Sequence, residues 1–136
     1  MAESRLVVLV VSRKGSAQDD LCHALSAFGH NAHVLEDGET LIHGLSLTQP
    51  DMVLLGDSFV PSDQVSGLRG QFPEVGIVVL TSADNQADSH AVSHLAYYQA
   101  GADVCLSQPW HPLELNAVIS KLGLRVRRQL ALRNTL

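Results

Sequence analysis

Five short apolar runs, separated by stretches in which apolar residues recur at helical spacing, constrain the fold of this 136-residue chain most strongly. The first run is continuous and rich in valine, which is typical of a strand covered on both faces in a parallel sheet. The runs predict strands at 5–11, 31–35, 52–55, 76–80 and 103–107. The stretches between and after them predict helices at 19–28, 39–47, 64–71, 90–100 and 112–124. This alternation predicts an α/β domain, a doubly wound five-stranded parallel sheet with helices on both faces.

Length and composition favour one soluble globular domain. The longest apolar run, Leu6 to Val11, is far shorter than a membrane-spanning helix requires. No basic stretch followed by an apolar stretch opens the chain, so we expect no secretory signal. Cys22 and Cys105 have neither metal-ligand spacing nor the pattern of a disulfide framework, which fits a reducing compartment. We therefore expect a cytoplasmic protein.

Charge divides the chain into an acidic body and a basic end. Residues 1–120 contain all 14 carboxylates and four basic side chains, whereas residues 121–136 contain five basic side chains and no acid. We expect a domain over 1–124 and a basic helical extension or linker over 125–136. The end could self-associate as an amphipathic helix, link to an output domain, or meet nucleic acid or an acidic partner. The first two are favoured, because the arginines are not interleaved with aromatic residues.

The residues that follow the strands are the candidates for chemistry. In an open parallel sheet, ligands bind beyond the carboxyl ends of the strands, where the strand order switches. That rule singles out four short segments, 12–14, 56–59, 81–83 and 107–109.

Five sequence segments in a fixed order make the chain resemble a response-regulator receiver domain over residues 5 to about 124. They are LVVLVVSRK at 6–14, FGH at 28–30, QPDMVLLGDSFVP at 49–61, VVLTSA at 78–83 and AGADVCLSQPW at 100–110. The resemblance implies the flavodoxin-like strand order 2-1-3-4-5. It also implies a phosphorylation site in which two acids and an acceptor Asp hold Mg²⁺, a Thr or Ser contacts the phosphoryl group, and a Lys clamps it.

Most positions of that implied site depart from the pattern. The acidic pair falls on Ser12 and Arg13, and the Lys position falls on Gln108. Ser12 is a poor Mg²⁺ ligand, Arg13 repels a cation, and Gln108 brings no charge. Thr81 and Pro109 match the pattern.

The acceptor position is ambiguous. Counting forward from Pro50 and Asp51 places Gly56 there, whereas counting back from Pro61 places Asp57 there. Asp57 could be an ordinary loop carboxylate. A sharper hypothesis is that Arg13 pairs with Asp57 and takes the place of both the metal and the lysine.

The favoured interpretation is a regulatory module of the two-component type that is not phosphorylated, is not an enzyme and needs no metal or cofactor. It would act through protein contacts, perhaps in transcription regulation, and would form a homodimer through the last helix and the fifth strand. Nucleic acid would be reached only through an output domain. The interface candidates are Cys105, Trp110, Arg125 and Arg128.

Two other classes of function stay open. The first is a working receiver that takes a phosphoryl group onto Asp57 from a histidine kinase, with Mg²⁺. The second is a ligand-binding or enzymatic protein of the flavodoxin-like fold, because fold alone does not settle function. Against the second, SRKGSA after the first strand has one glycine and is no phosphate-binding loop.

Overall fold

The computed structural model describes residues 6–11, 16–35, 41–55, 62–81, 95–107 and 110–134. Its strands are β1 (Val7–Val11), β2 (Asn31–Val34), β3 (Met52–Leu55), β4 (Gly76–Thr81) and β5 (Val104–Ser107). Its helices are α1 (Ser16–Ala27), α2 (Leu41–Thr48), α3 (Ser62–Gln71), α4 (helical residues 95–100) and α5 (Pro112–Asn134). The strands form one parallel sheet in the order β2-β1-β3-β4-β5, which confirms the predicted fold class.

The sheet is covered on both faces, as the continuous apolar runs predict. Alternate residues of a strand point to opposite faces, so each buried strand supplies two cores. Leu9 and Val11 of β1 pack in the cluster with α2, α3 and α4, whereas Val8 and Val10 pack in the cluster with α1 and α5. All four residues of β3 are buried. The central strands therefore need apolar residues at every position, and alternation disappears from their sequence.

Helices α1, α2 and α3 begin and end within three residues of the predicted positions. Helix α1 begins at Ser16, three residues before the predicted Asp19, because its first turn is polar and does not contribute to the apolar spacing. It ends at Ala27, so Phe28 was wrongly predicted as part of the helix and is partly exposed in the turn. Gly29 and Gly101, which follow α1 and α4, have positive φ values of 84° and 117°, the left-handed backbone that commonly ends a helix.

Helix α5 continues past the predicted end at residue 124 and runs 23 residues without a break, through Asn134. Among its residues whose burial is described, Val126 is the last buried one. A Cβ atom on Gly123 would lie 2.5 Å from Leu6 Cδ1, so the helix passes close to the chain just before β1. The helix thus crosses the amino-terminal edge of the sheet, and its backbone continues past that edge. The boundary expected at residue 124 stays a prediction.

Candidate functional site

The carboxyl ends of the strands lie along one edge of the sheet. Val11 pairs with Leu55, Leu55 pairs with Val79, and Thr81 pairs with Ser107. The switch in strand order lies at β1, which has β2 on one side and β3 on the other. A ligand crevice at this edge would therefore be formed by the segments that follow β1, β3, β4 and β5.

Most of the implied phosphorylation positions belong to those segments and fall outside the described residues. Thr81 is the last residue of β4, and its backbone is described. The others lie beyond the described strand ends: Ser12, Arg13, Gly56, Asp57, Gln108 and Pro109. The topology brings the strand ends that precede these residues to one edge.

The interface candidates lie in and beside the surface formed by α4, β5 and α5. Strand β5 is an edge strand, so its outer side has no neighbouring strand. Trp110 is partly buried against the cluster beneath α1 and α5, and Arg125 is 56% exposed. Arg128 belongs to α5, but its side chain lies outside the description. The fourth candidate, Cys105, is 8% exposed and packs in the cluster beneath α2, α3 and α4.

Tyr98 of α4 is tied to β5 by a hydrogen bond. The Cys105 N–H donates to the Tyr98 hydroxyl oxygen at 3.0 Å. Burial raises the pKa of the Cys105 thiol to about 11, although the nearby Tyr98 side chain lowers it somewhat. The thiol therefore stays protonated at neutral pH, which suits a small core residue rather than a reactive one.

An open groove of about 510 Å³ runs between β5 and α5. Its lining is mainly apolar and includes Val104 of the strand and Val118, Leu122 and Leu124 of the helix, together with the basic side chains Lys121 and Arg125. Apolar side chains accompanied by charged ones are common on protein-binding surfaces. One of the interface candidates predicted from the sequence, Arg125, lines this groove.

The amino-terminal edge of the sheet carries a charge network that sequence reasoning missed. Asp103, just before β5, accepts a hydrogen bond from the Ile77 N–H at 2.8 Å. Its carboxylate also binds Arg69 of α3 at 2.7 Å and Arg125 of α5 at 2.6 Å. Arg69 further donates to the Gly101, Pro73 and Val75 carbonyls, so it joins the loops that precede β4 and β5.

Asp51, just before β3, accepts a backbone N–H at the start of β1, just as Asp103 accepts one from β4. It accepts the Val7 N–H at 2.9 Å and the Arg127 guanidinium at 3.3 Å. The available sequence signal was an aspartate directly before each of two strands, in PDMVLL and GADVCL. Both aspartates cap a neighbouring strand and fix α5 across the edge of the sheet.

A buried histidine links α5 to the start of β1. The His30 Nδ1 atom accepts the Leu6 N–H at 3.3 Å, so the Nε2 atom carries the proton and donates to Asn116 Oδ1 at 2.9 Å. In the sequence, His30 was noted only as part of the FGH segment of the family pattern, and no role was predicted for it. The structure shows that His30 is a packing residue at the opposite edge from the implied phosphorylation site.

Within the described part of the chain, no group of three His, Cys, Asp or Glu side chains could hold a metal ion. Within the same residues, no helix has the length and apolar character needed to cross a bilayer.

A scan against protein-family models finds no match, and a search of curated proteins finds no relative. Solved structures do resemble the chain. A structure of NtrX from Brucella abortus in complex with ADP superposes with a TM-score of 0.81 at 17% identity, over 96% of this chain. The chain spans 29% of that NtrX chain.

Two receiver-domain structures match over most of their own length. The receiver domain of the TMAO respiratory system response regulator TorR has a TM-score of 0.74 at 20% identity, and the match covers 88% of this chain and 98% of that one. The signal receiver domain of a signal transduction histidine kinase from Syntrophus aciditrophicus has a TM-score of 0.74 at 20% identity, with 90% and 93% covered. With its strand order and its helices on both faces, the chain therefore has the fold of a response-regulator receiver domain.

Proposed function

We propose that this chain is a regulatory module of the two-component type that acts by protein contact and is not phosphorylated. One observation carries the proposal: the fold is that of a receiver domain, yet the residues that follow β1 are Ser12 and Arg13, where the family pattern has acids. The module would be a cytoplasmic, non-enzymatic protein. Any contact with nucleic acid, as in transcription regulation, would come through an output domain.

The chemistry of these residues does not fit Mg²⁺. Mg²⁺ needs a compact set of oxygen ligands, and protein sites supply them mainly as carboxylates. Ser12 offers a neutral hydroxyl, and Arg13 has a fixed positive charge. At about 4 Å and an effective dielectric constant of about 20, like unit charges repel by about 4 kcal/mol, and a divalent ion doubles that value. By the same estimate, one carboxylate such as Asp57 only cancels that repulsion and leaves no net attraction to offset the cost of removing water from the ion.

Gln108 weakens the case for a bound phosphoryl group in the same way. It follows Ser107, the last residue of β5, at the position where the pattern has a lysine. A glutamine amide can donate a hydrogen bond to a phosphoryl oxygen, but hydrogen bonds from charged donors are roughly twice as strong. The chain therefore lacks both the acids that would hold the metal ion and the lysine that would contact the phosphoryl group.

Protein contact through α5 and β5 is the activity that the described surface supports best. Leu113 and Leu124 of α5 are exposed by 64% and 69%, and the groove beside β5 is lined by apolar side chains and by Lys121 and Arg125. Exposed apolar side chains bordered by charges are typical of a contact surface. We propose a homodimer through the last helix and the fifth-strand face.

A working receiver is the second candidate. Asp57 comes two positions after Leu55, and Thr81 comes two positions after Val79, the register partner of Leu55. This equal count favours Asp57 over Gly56 as the acceptor. In this case a carboxylate oxygen of Asp57 would attack the phosphorus of a phosphohistidine in a kinase, forming an acyl phosphate as the P–N bond breaks.

Phosphorylation by a small donor separates these two functions. The chain is incubated with acetyl phosphate and Mg²⁺, and the intact mass is measured, with Asp57→Asn as the matched control. We expect no added mass in either protein. A phosphoryl adduct on the wild-type chain that is absent from Asp57→Asn would establish the working receiver instead.

A further inference from the structure

The solvent-facing side of α5 carries an apolar stripe that no other part of the described structure covers. Leu115, Ile119, Leu122 and Val126 turn inward and are buried against the sheet. Leu113 and Leu124 lie on the opposite side and are exposed. They are 11 residues apart, about three helical turns, so they share one line along the helix. Ala117 lies between them and is also exposed.

Charged side chains lie beside this stripe, on the side of the helix that faces β5. The acidic one is near the start of the helix and the basic ones are nearer its end. Glu114 in the first turn is the only carboxylate of α5. Lys121 and Arg125 follow it two and three turns later on the same side of the helix. All three side chains are exposed. The stripe is therefore negative near its start and positive near its end.

We propose that a second copy of this chain packs on this stripe with the two α5 helices antiparallel. This inference rests on the homodimer proposed above and adds its orientation. A twofold axis between residues 118 and 119 sets Leu113 of one copy against Leu124 of the other. Each contact then occurs twice, as in any isologous interface.

The charges match only in this orientation. With Leu113 opposite the partner's Leu124, Glu114 is level with position 123 of the other copy, midway between Lys121 and Arg125. Each of these basic residues is two positions away, about 3 Å along the helix axis. Arg125 is already paired with Asp103 of its own chain at 2.6 Å, so Lys121 is the main partner of Glu114. The twofold axis keeps the β5 sides of the two helices together, so the carboxylate and the basic side chains lie on the same side. For parallel helices the twofold axis would run along the helices and put the two charged sides on opposite faces of the interface, so Glu114 would face neither Lys121 nor Arg125 of the other copy.

Charge reversal tests the orientation. The dimer dissociation constant is measured by sedimentation equilibrium for the wild type, Glu114→Lys, Lys121→Glu and the double variant, which has the wild-type net charge. Each single reversal should weaken the dimer roughly tenfold, because two symmetry-related exposed pairs become repulsive. The double variant should recover most of the lost affinity, because the exchanged pair attracts again and the remaining cation, Arg125, is paired with Asp103. Glu114 and Lys121 of one helix are about 10 Å apart along its axis, so the recovery cannot come from within one helix.

Leu124→Arg is measured in parallel and should abolish the dimer. If Leu124→Arg breaks the dimer but the double reversal fails to restore affinity, the antiparallel orientation is wrong and the homodimer stands. If the single reversals leave the dimer intact, the orientation is likewise wrong. If the wild-type chain stays monomeric at every concentration, both the orientation and the homodimer are wrong, and the stripe belongs to a different partner.

Discussion

At the amino-terminal edge of the sheet, Asp51 and Asp103 each accept a backbone N–H from a neighbouring strand and a guanidinium from α5. At the carboxyl edge, the chain has Ser12 and Arg13 where the receiver pattern has two acids. Carboxylates are thus present at the edge where they stabilise the fold and are replaced at the edge where they would bind a metal. The charges that hold α5 and the strands together at the amino-terminal edge therefore do not depend on acids at positions 12 and 13.

Removing the Asp103 carboxylate should have the largest effect on stability. Asp103→Ala leaves the Ile77 N–H and two arginines without their acceptor, and the side chain is only 18% exposed. We expect the free energy of unfolding to fall by about 2–3 kcal/mol in urea denaturation, since hydrogen bonds to charged groups are the strong ones. Arg125→Ala is the control and should cost less than about 1 kcal/mol, because that side chain is largely exposed. Equal losses for the two variants would show that the α5 contact, and not the strand cap, carries the stability.

A side chain at position 123 should disturb the close approach of α5 to the amino-terminal edge of the sheet. A Cβ at position 123 would overlap the side chain of Leu6, which is buried and has little room to move. Gly123→Ala should therefore lower stability by about 1 kcal/mol, even though alanine favours a helix over glycine.

Gly67→Ala in α3 is the matched control for that change. Nothing lies within 4 Å of a Cβ atom at position 67, so only helix propensity changes. This variant should gain up to about 1 kcal/mol. A stability gain in both variants would mean that α5 does not press on the edge of the sheet.

The central strands β1, β3 and β4 were predicted within one or two residues of their observed ends because a buried run leaves an unbroken apolar signal. Residues 125–136 were predicted to be a helical extension or a linker, and the backbone of α5 continues through Asn134. The ion pairs at the amino-terminal edge could not be predicted in the same way. They depend on where α5 crosses the sheet, and residues 22 positions apart, such as Asp103 and Arg125, reveal no local pattern. The residues implied by the family pattern follow the ends of the strands, where periodicity stops and the apolar signal gives no guide.

The smallest expected effect lies at the carboxyl edge of the sheet. If Arg13 pairs with Asp57, then Arg13→Ala should lower the free energy of unfolding by about 0.5–1 kcal/mol, the usual range for an ion pair that retains access to water. A double-mutant cycle with Asp57→Asn isolates the pair, because the second change should cost little once the first has been made. A coupling energy near zero would show that Arg13 is an ordinary solvated cation. The carboxyl edge would then have lost its metal ligands without gaining a substitute charge pair, and only the amino-terminal edge would use charge to stabilise the fold.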